Sequence, residues 1–302
     1  MRAWAEYLAF LALKPLFFLC PRSWCLALGR FLGTLDFHLD SRRRGIALRN
    51  LKTAFGEEKR PEELRTIAKT SFGNFGQIMA DIFKLLHFDR AKIEDLVIVE
   101  GWENLTNAIG LGKGVLIFSA HIGNWELGSL MISRAVKLNV VARALDNNLM
   151  EEELVRFRRR LGARVIYKQQ AARKILQALR RGEAVAILID QNVLRVQAVF
   201  VDFFGRPAGT TPALGAFALR TGAPLVPVYC LPIGSGRYRL KILPPPAIVL
   251  DGDVETNVLK ITRICTKIIE NEIRESPGNW FWFHDRWRSR PKEEKDHQDQ
   301  TP

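Results

Sequence analysis

His121 and Glu126 bracket the stretch His121-Ile-Gly-Asn-Trp-Glu126, directly after the apolar run Val115-Leu-Ile-Phe-Ser-Ala120. An imidazole beside a carboxylate is the working part of a general base. The carboxylate holds one ring tautomer and strengthens the other nitrogen as a proton acceptor. Residues i and i+5 share a face of neither a regular strand nor a regular helix. Across a strand–loop–helix junction they can meet, and the sequence predicts such a junction. The apolar run reads as a buried strand, Asn124 as an N-cap, and Trp125-Glu-Leu-Gly-Ser-Leu-Met-Ile132 as the next helix. Glu126 then lies in the first turn, where the helix dipole favours its charged form. A structural hydrogen-bonded pair is the plainer reading of the same residues. Position favours chemistry, because open α/β sheets bind ligands outside the carboxyl ends of their strands.

Further polar residues fall at similar ends. Arg143 lies near the end of the strand predicted over 139–144. Asp190, followed by Gln191 and Asn192, closes the one predicted over 184–190. Arg156, Arg158, Arg159 and Arg160 crowd the helix between them and read either as a solvated basic face or as a rim for phosphate or a carrier. The sequence has no Gly-x-Ser-x-Gly elbow, no Walker or Rossmann glycine pattern after a strand and no His-x-x-x-His zinc pair. Gly110-Leu-Gly-Lys-Gly114 precedes its strand and reads as a turn. There remains a base without a protein nucleophile, suited to activating a substrate hydroxyl directly, with no metal and no cofactor expected.

The elements that must hold these residues alternate. Strands are predicted over 115–120, 139–144, 164–167, 184–190, 224–231 and 237–243, and helices over 125–137, 150–161, 171–181, 212–220 and 254–275. That order predicts an α/β fold with a mainly parallel central sheet flanked by helices. Residues 41 to about 95 read as helical, with Pro61 at a first-turn position. The 302 residues suffice for one large domain. Residues 1–40 read as an N-terminal membrane anchor, 41–290 as the catalytic domain and 291–302 as a charged, disordered tail.

The anchor is a membrane-associated helical segment of open geometry. Apolar stretches at 7–13, 16–20, 24–28 and 31–35 are broken by Lys14, Pro15, Pro21 and Arg22, so no clean span of about 20 apolar residues exists. A marginal transmembrane helix, an interfacial amphipathic hairpin and a buried core helix all remain open. Arg42-Arg-Arg44 comes next, as suits a cytoplasmic leaflet with anionic lipid. The net charge of +13 calls for a polyanionic partner. Nucleic acid is disfavoured, since no recognition motif is present. Four scattered cysteines, Cys20, Cys25, Cys230 and Cys265, have neither zinc nor redox spacing.

With these motifs in view, the chain resembles the bacterial lipid A late acyltransferases, the lauroyl and myristoyl transferases of the lysophospholipid acyltransferase (glycerolipid acyltransferase-like) superfamily. The likeness is carried by Ile46–Leu51, Ser71–Gly76, His121–Glu126, Ala142–Asn147, Asp190-Gln191, Val201–Thr211 and Asn279–His284. It implies transfer of a fatty acyl chain from an acyl carrier protein thioester, or acyl-CoA, to a hydroxyl of a glycolipid, at the cytoplasmic side of a bacterial inner membrane. It makes His121 the base and Glu126 its acidic partner. It puts Arg143, Arg158, Asp190, Gln191, Phe204, Gly205, Thr210 and Thr211 at the substrate. The competing reading is a basic membrane-surface lipid-binding protein with a degenerate site.

Overall fold

β2 (Val115–Ser119) is buried at every position, as an unbroken apolar run in a central parallel strand requires. The computed structural model describes residues 19–85, 88–160, 162–167 and 171–291, with positions 4, 7, 8, 11, 12 and 15 before them. In it, β2 lies between β5 (Ala184–Leu188) and β8 (Leu225–Gly234). The seven-stranded sheet runs β1 (Val97–Glu100), β9 (Arg237–Ile242), β8, β2, β5, β3 (Leu138–Ala142), β4 (Ala163–Tyr167). Every neighbouring pair is parallel except the β8–β9 hairpin. A second, two-stranded hairpin, β6 (Val199–Phe203) with β7 (Arg206–Thr210), stands outside this sheet. The expected mainly parallel α/β architecture is what the chain forms.

Both faces of the sheet are covered, because β2 sends Leu116 and Phe118 into one apolar cluster and Val115 and Ile117 into another. The crossover helices are α5 (Trp102–Gly110), α6 (Trp125–Ile132), α7 (Asn148–Arg160), α8 (Ala171–Arg180) and α9 (Ala213–Thr221); α10 (Val254–Glu275) comes after the last strand. α6 stops at Ile132, short of the expected 137. Ser133 folds its hydroxyl onto the Leu130 carbonyl, and the chain turns into β3.

Ahead of the sheet lie α1 (Arg22–Leu39), α2 (Ser41–Phe55), α3 (Pro61–Leu85) and the short α4 (Arg90–Glu94). α1 and α3 touch backbone to backbone. A Cβ on Gly33 would sit 2.2 Å from the Phe72 carbonyl oxygen, so only glycine permits this approach. Among the described residues, no helix is long and apolar enough to cross a membrane. Half of the positions in the stretches at 7–13 and 16–20 lie outside the described residues. The stretches at 24–28 and 31–35 form one amphipathic helix, α1, which buries Cys25, Leu26 and Phe37 against the body and leaves Trp24, Phe31 and Leu39 exposed. Packing therefore continues across the expected boundary at residue 40.

Candidate active site

Parallel register brings the site together. Ser119 pairs with Leu188, so His121 and Asp190 each lie two residues beyond paired positions on neighbouring strands. The Asp190 Oδ1 accepts from the His121 Nδ1–H at 2.9 Å, while its Oδ2 accepts the His121 backbone N–H at 2.9 Å and the Trp280 indole N–H at 2.7 Å. Asp190 is almost wholly buried. Burial alone would raise its pKa, but the charge and hydrogen bonds of His121, with Trp280, outweigh burial and hold it down to about 2. The carboxylate is thus ionised and takes the Nδ1–H of His121, so that Nε2 is the ring nitrogen left to exchange a proton with the cavity. The Gln191 amide stands 3.3 Å from that Nε2.

The loop that carries His121 is pinned by backbone. The Gly123 N–H donates to the Asn279 carbonyl, the Asn124 N–H to Cys230 and the Phe281 N–H to the His121 carbonyl. Gly123 is left-handed, and a Cβ there would meet the Cys230 carbonyl oxygen at 2.1 Å. Asn124 caps α6 by accepting from the Leu127 N–H, as its type and place predict.

The expected His121–Glu126 contact does not form. The helix that begins after Asn124 turns Glu126 away from the loop, and Trp125 instead sets its ring edge-on to His121 with centroids 5.1 Å apart. Glu126 is clasped by both arms of the Arg158 guanidinium, one bond being 2.9 Å. Burial opposes the charge on Arg158, but the Glu126 carboxylate outweighs it and raises the pKa above the ordinary arginine value. The carboxylate that His121 pairs with in this structure is Asp190.

His121, Trp125, Glu126, Arg143, Arg158, Gln191 and Thr211 all line one cavity of about 930 Å³. Its walls are mostly apolar, from Phe75 and Ile82 on α3 to Val140, Phe157 and Ile175 around the sheet's end. Arg143 is exposed and pairs with Asp146 at 2.6 Å. Phe204, Gly205 and Thr210 stand apart from the cavity. Phe204 and Gly205 make the β6–β7 turn, and Phe204 packs against Phe55 and Trp282 under the Arg274 guanidinium. The Thr210 hydroxyl accepts from the buried Arg286, whose other arm donates to the Gly209 carbonyl.

Sequence reasoning missed two contributors. Trp280 stood in the sequence only as part of the Asn279–His284 motif, yet its N–H completes the Asp190 shell. The His284 Nε2 accepts the Asn192 N–H at 3.0 Å, which steadies the segment that carries Gln191. Burial lowers the His284 pKa, so it stays neutral and can accept. The signal available was the density of donors in Trp280-Phe-Trp-Phe-His284, unusual for a core segment.

A histidine held by a buried carboxylate, at the carboxyl edge of a parallel sheet and open to a large apolar cavity, has the arrangement of an active site for an apolar substrate. The chain belongs to the bacterial lipid A biosynthesis acyltransferase family, whose model matches residues 1–289. It is similar to the lipid A biosynthesis palmitoleoyltransferase of Escherichia coli (strain K12), 28% identical over 266 residues covering 87% of this chain and 85% of that protein. The lipid A biosynthesis lauroyltransferase of the same organism is 27% identical, covering 88% of this chain and 85% of its own length. The phosphatidylinositol mannoside acyltransferase of Mycobacterium tuberculosis (strain CDC 1551 / Oshkosh) is 24% identical over 72% of this chain and 69% of its own. The protein is an acyltransferase.

Proposed function

We propose that this acyltransferase moves a fatty acyl chain from a thioester donor to a hydroxyl of a glycolipid of the lipid A precursor type, with His121 as general base and Asp190 as the residue that orients it. The observation that carries this reading is the three-bond clasp on Asp190, which engages Nδ1 of His121 while the ring lines the apolar cavity. The acceptor hydroxyl gives its proton to Nε2 as its oxygen attacks the thioester carbonyl. Collapse of the tetrahedral intermediate expels the thiolate, which takes up a proton, and the ester remains. No acyl-enzyme is formed. In this reading the Gln191 amide, 3.3 Å from Nε2 of His121, donates to the oxyanion, and such a donor is worth about 3–4 kcal/mol of barrier.

The cavity volume lies within the range that encloses drug-sized ligands, and its apolar walls suit an acyl chain. Arg143, at the mouth, suits a phosphate of the acceptor. Arg158 holds Glu126 and with it the wall of the cavity. The exposed cations of α7 and α8, among them Arg156, Arg159, Arg173 and Lys174, suit an acidic acyl carrier protein as donor in preference to coenzyme A. The exposed apolar face of α1, with Leu194 and Val196 at 67% and 89% exposure beside the cavity residues Val193 and Gln197, supports seating on the cytoplasmic surface of the inner membrane, against anionic lipid.

The test is incubation of the purified full chain with labelled acyl carrier protein and coenzyme A thioesters and a panel of lipid acceptors. Label on a phosphorylated glycolipid supports the reading. Label on no acceptor, with every thioester intact, or stable label on the protein itself, contradicts it.

A further inference from the structure

A second cavity, of about 410 Å³, lies on the other side of α3 from the reaction cavity. Its walls come from α1, α3, the tip of the β8–β9 hairpin and the turn at Pro277–Asn279. It shares no lining residue with the reaction cavity. Phe75, Met79 and Ile82 of α3 face the reaction centre, and Thr70, Asn74 and Gln77 face this one.

The two cavities differ in chemistry. Among the described residues no Asp or Glu lines the second, while two arginines do, Arg30 and Arg237. Arg30 has no hydrogen bond or ion pair among the described residues. Arg237 reaches only the Asp95 carbonyl oxygen, at 3.4 Å, so neither charge is neutralised by a carboxylate. The carboxylate behind the wall, Asp81, is fully committed to Arg22 and to the Tyr238 hydroxyl. Asn74 is spent on Gly278 and Asn279, but the side chains of Thr70, Gln77 and Ser235 bring polar groups that bind no described residue. Two uncompensated guanidinium forks with free amide and hydroxyl donors around them match the oxygens of a phosphate ester.

We propose that this cavity is a second ligand site, separate from the reaction centre, that takes the phosphate of a glycerophosphate headgroup. Its surroundings favour a membrane lipid as the source. Trp24, Phe31 and Leu35 are exposed on α1, and Ile233 is exposed on the hairpin, so apolar surface borders a cationic hollow. The site would fix the body against anionic lipid independently of what the reaction cavity holds, and it does not rest on the acyl-transfer reading.

The full chain in detergent is titrated with short-chain phosphatidylglycerol, with glycerol 3-phosphate and with a short-chain diacylglycerol that lacks phosphate. The double variant Arg30→Ala/Arg237→Ala is compared with Arg180→Ala/Arg263→Ala, which removes the same charge from exposed positions elsewhere. The expected result is saturable binding of phosphatidylglycerol, weakened at least about tenfold in the first variant and unchanged in the second. Gln77→Glu, which puts a carboxylate into the hollow, weakens it too. Glycerol 3-phosphate competing with the lipid would assign recognition to the phosphate ester alone, and its failure to compete would assign it to the lipid; both uphold the site. Equal loss in the two double variants, no loss in Arg30→Ala/Arg237→Ala, or equal binding of the diacylglycerol overturns it.

Discussion

Replacing Asp190 by Asn changes one atom in the clasp, and the arrangement of donors around it dictates the consequence. Two donors, the His121 backbone N–H and the Trp280 indole N–H, converge on Oδ2, so the amide oxygen of Asn must take that position. Its NH2 then sits where Oδ1 was, 2.9 Å from the His121 Nδ1. Two donors cannot face each other, so Nδ1 gives up its proton and Nε2 carries it. The base is switched off with the geometry almost untouched. A positioned base contributes about 10²–10⁴-fold, or roughly 3–5 kcal/mol, and the equivalent amide swap in a Ser-His-Asp triad costs about 10⁴ in kcat. Single-turnover acyl transfer in Asp190→Asn should fall by that factor, with KM for the acceptor little changed. Glu126→Gln behaves differently. It leaves the Arg158 charge buried without its partner, a loss of about 3–5 kcal/mol in stability, and it lowers the rate only through the cavity wall. If Asp190→Asn turns over within threefold of the parent while folded Glu126→Gln is inactive, the assignment of Asp190 is refuted and Glu126 is the partner.

Phe204→Ala should cost about 3–5 kcal/mol of unfolding free energy, read by urea denaturation, because the ring is buried against Phe55 and Trp282. Its folded fraction should keep the parent kcat/KM, since the side chain is absent from the cavity. Asp190 titrates at about 2 when folded against 3.8 in its ordinary state, so it stabilises the protein above pH 4 and loses that contribution as pH falls from about 4 to about 2. The loss is about 2 kcal/mol. It should be missing in Asp190→Asn when urea unfolding is followed against pH. Ala186→Leu narrows the cavity at its inner wall. The variant should lose roughly tenfold or more in kcat/KM for the longest donor accepted and less for shorter ones, measured with a ladder of acyl thioesters.

The parallel sheet was legible because its central strands β2 and β5 are almost continuously apolar, and the helix expected over 254–275 forms with those bounds, capped by Asp253. β1 and α5 carry no comparable signal. β1 is only four residues long with a mixed burial pattern, and it takes its place from pairing with β9. The β6–β7 hairpin was visible only as a motif. Its turn at Phe204-Gly205 puts a phenylalanine at positive φ, which no propensity suggests. His121 and Asp190 were each legible as polar residues at strand ends. That they touch depends on β5 lying next to β2, a matter of strand order that no local spacing encodes. Glu126 looked like the partner because it is near in sequence. One turn of helix was enough to give it to Arg158, thirty-two residues away in sequence. The apolar N-terminal stretches read as an anchor, whereas α1 keeps one face for α3 through Gly29 and Gly33 and exposes the other.

The most direct test is single-turnover transfer of labelled acyl chain from carrier protein thioester to a phosphorylated glycolipid, run side by side with the parent and with His121→Ala of matched thermal stability. Direct base catalysis predicts transfer in the parent, a rate about 10²–10⁴-fold lower in the variant, and no label on the protein at any time. Transfer by His121→Ala within a few fold of the parent, or a covalent acyl-protein that forms and decays at the rate of turnover, would contradict it.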